Sequence, residues 1–195
     1  MPGVRGGVAR RPPDRRLPDR TVDEPRIRGT DADHGTSDPE IDRAHDRALG
    51  FLSFRPRSQR EVAIYLRRKG YAETSVDAVL DRLTRAGLVN DAHFASYWVS
   101  NRTQFSPRGR RALQQELRQK GVGRDVIARA LEEAVPDLAQ AVAAGRKKAA
   151  SLFSLGPDEF RRRMIGFLAR RGFTYGDSTE ATSMLWSEAE QSNYG

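Results

Sequence analysis

The residues of this chain whose type and spacing could do chemistry are arginines. Arg55, Arg57 and Arg60 form one set, Arg108, Arg110 and Arg111 a second, and Arg161, Arg162 and Arg163 a third, at intervals close to 51 residues. Guanidinium groups stay charged at neutral pH and hold carboxylates or phosphates through forked N–H donors, so the chemistry on offer is anion binding. Each set falls where a helix is expected to begin. The helix dipole is positive there, and each cation loses about 0.3–1 kcal/mol unless an anion lies close. Three uses of a locally unfavourable choice point to a surface that meets phosphates or carboxylates. The plainer alternative is an arginine-rich composition filling exposed positions.

Residues for other chemistry are missing. His34, His45 and His93 have no partner at metal-ligand spacing, and Asp91 and His93, two apart, would face different directions on a helix. The chain has no cysteine, which excludes disulfides and thiolate metal sites. It contains no P-loop, GxSxG or HExxH, and no GxGxxG after a strand. The expectation is a protein that is not an enzyme, with no catalytic residues, cofactor or metal.

The elements that position the arginines recur at the same offset. Val62, Leu113 and Met164 align, then Leu66, Leu117 and Leu168, then Gly70, Gly121 and Gly172, then Tyr71, Val122 and Phe173. Apolar residues at helical spacing, ended by a glycine and then an apolar residue, predict a middle helix closed by a left-handed turn in each of three units. In the first unit a stripe from about Ile41 to Phe54 precedes a capping box, Ser58 with Glu61, and a third helix follows from Thr74 or Ser75. In the second, Asn90 is expected to cap the first helix, Ser106-Pro107 the second, and the third starts near Arg124. In the last unit, Leu138–Leu155, Pro157–Gly172 and a helix from about Tyr175 complete the plan. Phe94 with Trp98, Phe160 with Phe167, and Phe51 with Phe54 are read as core.

The predicted fold is therefore all-α: three tandem three-helix, helix-turn-helix-like repeats forming an elongated, curved stack. Units of about 50 residues bury too little alone, so stacking is the expected source of their stability. The expected boundaries are 1–40 for a disordered Pro/Gly/Arg/Asp-rich tail, then repeats at 41–87, 88–135 and 136–195, the last with a short C-terminal tail. Ser178 and Thr182 stand where the other repeats have Val76/Ile127 and Leu80/Leu131, which suggests a terminal repeat with a more polar outer side.

Eight arginines and eight acids cancel within residues 1–40, so the net charge of +8 lies on the repeats. Such a surface favours nucleic acid or an acidic protein as partner. No apolar run is long enough to span a membrane and no signal peptide is visible, so a soluble, cytoplasmic monomer is expected.

The stretch GLVNDAHFASYWVSNR, followed by SPRGRRALQQELRQKGV, resembles the RecX family of regulators of the RecA recombinase. Gly87-Leu88, Asn90-Asp91, Phe94-Ala95 with Tyr97, then Arg102, Gly109, Leu113, Leu117 and Lys120-Gly121-Val122 carry the resemblance, and the flanks extend it over roughly residues 44–186. Asn90 stands where an acid is usual. The resemblance implies binding to RecA and RecA–DNA filaments, with modulation, mainly inhibition, of recombinase, ATPase and coprotease activities in recombination and the SOS response. Arg102, Arg118 and Lys120 join the nine arginines above as candidate contacts to RecA or DNA, although Arg118 and Lys120 sit at a helix C-terminus, where the dipole favours cations without any functional reason; the family signature itself is one of core and turn residues and assigns no binding set. The alternative is a helix-turn-helix repeat protein acting directly on single- or double-stranded DNA without sequence preference. The starts of the third helices are poor in base-reading side chains, so any direct DNA affinity is expected to be salt-sensitive and indifferent to sequence.

Overall fold

The structure is a computed structural model that describes residues 38–134 and 136–194. The expected disordered tail lies almost wholly outside the described residues, which begin with the cap of the first helix. Among the described residues there are nine α-helices and no strand. The first repeat holds α1 (Pro39–Leu52), α2 (Gln59–Arg68) and α3 (Glu73–Arg85). The second holds α4 (Asp91–Phe105), α5 (Arg110–Gln119) and α6 (Arg124–Glu132). The third holds α7 (Asp137–Leu152), α8 (Pro157–Arg170) and α9 (Tyr175–Tyr194), with a 3-10 turn, Phe153–Leu155, between α7 and α8.

Local chemistry explains most of the boundaries. α1 opens two residues ahead of the Ile41 stripe because Asp38 accepts from the Glu40 N–H at 2.8 Å and Pro39 brings a helical φ. Both bonds of the Ser58–Glu61 capping box form, and Asn90 accepts from the N–H groups of Ala92 and His93. Each middle helix ends identically: Gly70, Gly121 and Gly172 have φ of 87°, 84° and 88°, and the next residue, Tyr71, Val122 or Phe173, donates back to the carbonyl of Leu66, Leu117 or Leu168.

Three sequence expectations need correction. Ser106-Pro107 does not cap α5; the helix starts at Arg110 with Gly109 as N-cap, because the Gly109 N–H is drawn to a carbonyl of the next repeat. Ser178 and Thr182 do not face outward but are buried. Their hydroxyls donate to the carbonyls of Thr174 and Ser178, both at 2.6 Å, which satisfies them inside the core. Phe54 is not core: it lies beyond the end of α1 and is almost fully exposed.

The energetics also differ from a continuous stack. Each repeat has its own core: Val62, Leu66, Val76, Val79 and Leu83 in the first, Phe94, Leu113, Leu117 and Ile127 in the second, Phe160, Met164, Leu168 and Leu185 in the third. These cores do not merge. Helices pack extensively only within their own repeat, and neighbouring repeats meet at narrow joints. The third repeat carries the bulkiest core, in which Trp186 lies 4.7 Å from Phe153 and 5.0 Å from Phe160.

Candidate anion-binding surface at the repeat joints

The two joints are built alike, and both use the start of a middle helix. At the first joint the Ser58 hydroxyl, while accepting from the Glu61 N–H at 3.1 Å, donates to the Lys120 carbonyl at 2.7 Å; the Gln59 N–H donates to Asp91 at 2.9 Å. At the second the Gly109 N–H donates to the Arg171 carbonyl at 3.0 Å, and the Arg110 N–H donates to Asp137 at 3.0 Å. In both, the N-terminus of α2 or α5 abuts the glycine turn after the middle helix of the next repeat, and the acid opening that repeat's first helix caps it from outside. The approach is close enough that a Cβ on Gly109 would lie 2.3 Å from the Gly172 carbonyl oxygen.

This arrangement supplies the anions that the helix starts require. Asp91 and Asp137 are partly desolvated, and burial pushes both carboxyls above their usual range even though each accepts a backbone N–H. Burial also acts to raise Glu61, but hydrogen bonds from Arg55 (3.1 and 3.2 Å) and Lys120 (2.7 Å) outweigh it and leave that carboxyl below its usual range.

The twelve candidate cations sort by what they touch. Six are engaged at or beside the joints. Arg55 and Lys120 hold Glu61; Arg102 donates to Glu116 at 2.8 Å; Arg110 caps α6 through the Leu131 carbonyl at 2.7 Å. Arg57 lies 4.0 Å over the Phe51 ring, which stacks on Tyr65, and Arg108 comes within 3.9 Å of Glu116. The indole of Trp98 is the centre of the first joint: its N–H donates to Glu116 at 2.8 Å while Arg102, Lys120 and Arg55 stand 4.6, 5.0 and 5.9 Å from its ring. Arg60, Arg111, Arg118 and Arg161 are exposed, and Arg162 and Arg163 are exposed but share Glu159, whose carboxyl they hold down to about 2.

Positive charge is crowded where the joints bury it. Burial first and the Arg55 charge second push Arg57 below its usual range; burial first and the Arg108 charge second do the same to Arg171. The Nε groups of Arg57 and Arg108 are buried without a hydrogen-bond acceptor. A desolvated, crowded cation is the kind that gains most from an incoming anion. A second basic strip runs along two grooves on the third repeat: Lys147 and Lys148 of α7 line one with Arg171, Phe167 and, from the second repeat, Phe105, and Lys148 and Phe167 line the other with Arg162, Arg163 and Arg170. Sequence comparison of the repeats missed it, because Lys147-Lys148 has no counterpart in the other units.

Among the described residues no cluster of His, Asp and Glu is arranged to hold a metal ion, and no helix is long and apolar enough to cross a membrane.

Comparison with known proteins agrees with this architecture repeat by repeat. Family models described as the first, second and third three-helix domains of RecX match residues 44–83, 90–131 and 136–181. A protein named Regulatory protein RecX from Amycolatopsis mediterranei (strain U-32) is 40% identical over 136 residues, covering 69% of this chain and 78% of its own. One of the same name from Prosthecochloris aestuarii is 37% identical over 138 residues, covering 70% and 89%. The crystal structure of RecX from Lactobacillus salivarius superposes with a TM-score of 0.64 over 75% of this chain and 96% of its own, at 22% identity, a likeness of fold. With each three-helix unit matched in order and relatives at this identity along most of their length, the chain belongs to the RecX family of regulatory proteins.

Proposed function

We propose that this chain binds RecA and RecA–DNA filaments and restrains their recombinase, ATPase and coprotease activities. The observation that carries the reading, beyond membership of the family, is the crowding of partly buried arginines at both joints. Arg55, Arg102, Arg108 and Lys120 are held in place by Glu61, Glu116 and Trp98, and Arg57 packs over Phe51; pre-ordered cations lose less entropy on meeting filament carboxylates or phosphates. Arg60, Arg111, Arg118, Arg161, Arg162 and Arg163 add exposed positive charge elsewhere on the middle helices. Several weak contacts made by separate repeats to successive protomers add through effective concentration.

Direct sequence reading of DNA is the weaker account. At the start of α3, Ser75 and Val76 are buried while Glu73 and Asp77 are exposed, and α6 starts with Arg124 followed by Asp125. Exposed acids at a would-be recognition helix repel phosphates.

DNA-dependent ATP hydrolysis by RecA, measured with increasing amounts of this protein, tests the reading. Inhibition below one molecule per RecA protomer is expected; an unchanged rate at equimolar protein would overturn it.

A further inference from the structure

The two joints share a plan but not a charge balance. Lys120 and Arg171 each close a middle helix, and each reaches back to the start of the middle helix before it. Lys120 finds Glu61 there at 2.7 Å. In the repeat register Val62 aligns with Leu113, so Ala112 stands at the second joint where the first has Glu61. Arg171 therefore meets no carboxylate among the described residues: it donates to the Pro107 carbonyl at 3.3 Å and lies 4.6 Å over the Phe167 ring. Burial first and the Arg108 charge second hold it below its usual range. The first joint supplies its own anion, and the second leaves a partly buried guanidinium without one.

Beside Arg171 lie the two grooves of the basic strip, which share Lys148 and Phe167 in their walls. Among the described residues no Asp or Glu lines either groove. Arg162 and Arg163 are engaged by Glu159, which leaves Lys147, Lys148, Arg170 and Arg171 as the uncompensated cations. Phe105 stands in the wall of the first groove with 72% of its surface exposed.

We propose that this strip binds single-stranded DNA, with phosphates held by Arg171, Lys148 and Arg170 and an unpaired base stacked on Phe105. This rests on the filament reading above for the identity of the strand. Charge and shape select the occupant. Four uncompensated cations spread along adjoining grooves match a chain that is charged at every unit, as a phosphodiester is, better than an isolated carboxylate. An exposed ring set among them offers each unit's flat face a partner, and this pairing of cations with aromatic rings binds single strands whatever their sequence. A duplex carries the same phosphates but turns its base faces onto one another, so Phe105 gains nothing from it.

The test measures binding of the full chain to a single-stranded thymidine oligonucleotide, an abasic strand of the same length and a duplex. The parent is expected to bind the single strand most tightly. Phe105→Ala is expected to weaken that affinity about five- to hundredfold and to leave the abasic strand unaffected, with Phe105→Leu equally weak and Phe105→Trp as tight as the parent. Ala112→Glu, which copies the acid of the first joint, is expected to weaken binding to both strands and to lower the slope of log affinity against log salt by about 0.7, while Ala112→Gln changes neither. Should Ala112→Glu lower the unfolding temperature, Lys148→Ser, at an exposed position, reads the same change of slope. Parental affinity in Phe105→Ala, or equal loss on the abasic strand, overturns the proposal. Parental affinity in Phe105→Leu alongside loss in Phe105→Ala also overturns it, in favour of apolar docking of a protein, and an unchanged salt slope places the phosphates elsewhere and overturns it too. A parent that inhibits ATP hydrolysis by RecA yet does not bind the strand overturns this proposal alone, and one that binds the strand without inhibiting RecA overturns the filament reading alone.

Discussion

Ser58 shows how much one side chain does at a joint. Its hydroxyl accepts the Glu61 N–H at the start of α2 and donates to the Lys120 carbonyl of the next repeat, and the residue is buried. Ser58→Ala removes a helix cap and leaves a partly buried carbonyl without its donor, so a loss of about 2 kcal/mol is expected in chemical denaturation. A loss below about 0.5 kcal/mol, the floor for a lost cap, would show that water replaces both bonds. The neighbouring Glu61 gives the joint a pH dependence. Its folded-state pKa is depressed, so its contribution to stability is present above the unfolded value and is lost as pH falls through the folded one. Asp91 in the same joint acts with opposite sign: burial raises its carboxyl, so the stability it contributes is present in acid and declines as pH rises through its folded value. Glu61→Gln isolates the two, and is expected to lower stability at neutral pH while flattening the decline below about pH 4, where an unfolded Glu titrates. An acid decline as steep as the parent's would assign it to other carboxylates.

At the scale of elements, what the sequence revealed and what it concealed divide by range. The capping box at Ser58, the Asn90 cap and the three left-handed glycine turns are made by residues within a few positions of one another, and periodicity and residue type suffice to read them. The joints are made across 62 or 64 residues, Ser58 to Lys120 and Arg171 to Pro107, and nothing local encodes such a partner. The same gap explains the arginines. Placed against a helix dipole they look misplaced, until Asp91 and Asp137 from the following repeat and Glu61 and Glu116 from their own are seen beside them. It also explains Ser106-Pro107, a good local cap displaced by a long-range contact at Gly109. That glycine has an ordinary φ of −70°, so its requirement is space alone. Gly109→Ala sets a Cβ against the backbone of Gly172 and Phe173, which cannot swing aside as a side chain would. A destabilisation of about 1–3 kcal/mol is expected in thermal unfolding, with faster amide exchange at Gly109 and Arg110. Unchanged exchange at those two amides would mean that the joint is looser in solution than the contact distance implies.

For the whole molecule, three private cores joined by polar contacts mean that the repeats need not share a single rigid surface, and that charge can be altered in one repeat without unfolding another. This decides where the electrostatic part of binding is best tested. Replacing Arg108, Arg110 and Arg111 would remove the Leu131 cap and disturb Glu116 along with any ligand contact, so a loss of binding there would not separate charge from structure. Lys147, Lys148 and Arg170 are exposed, line the third-repeat grooves and make no ion pair among the described residues. Changing all three to Ser is expected to leave the unfolding temperature unaltered while weakening binding to single-stranded DNA and to the RecA filament, most at low salt. If each lysine or arginine displaces a counterion from a single strand, the slope of log affinity against log salt falls by about 0.7 per residue. A slope equal to the parent's on both ligands would exclude this strip from the phosphate contacts and leave the crowded arginines of the joints to supply them.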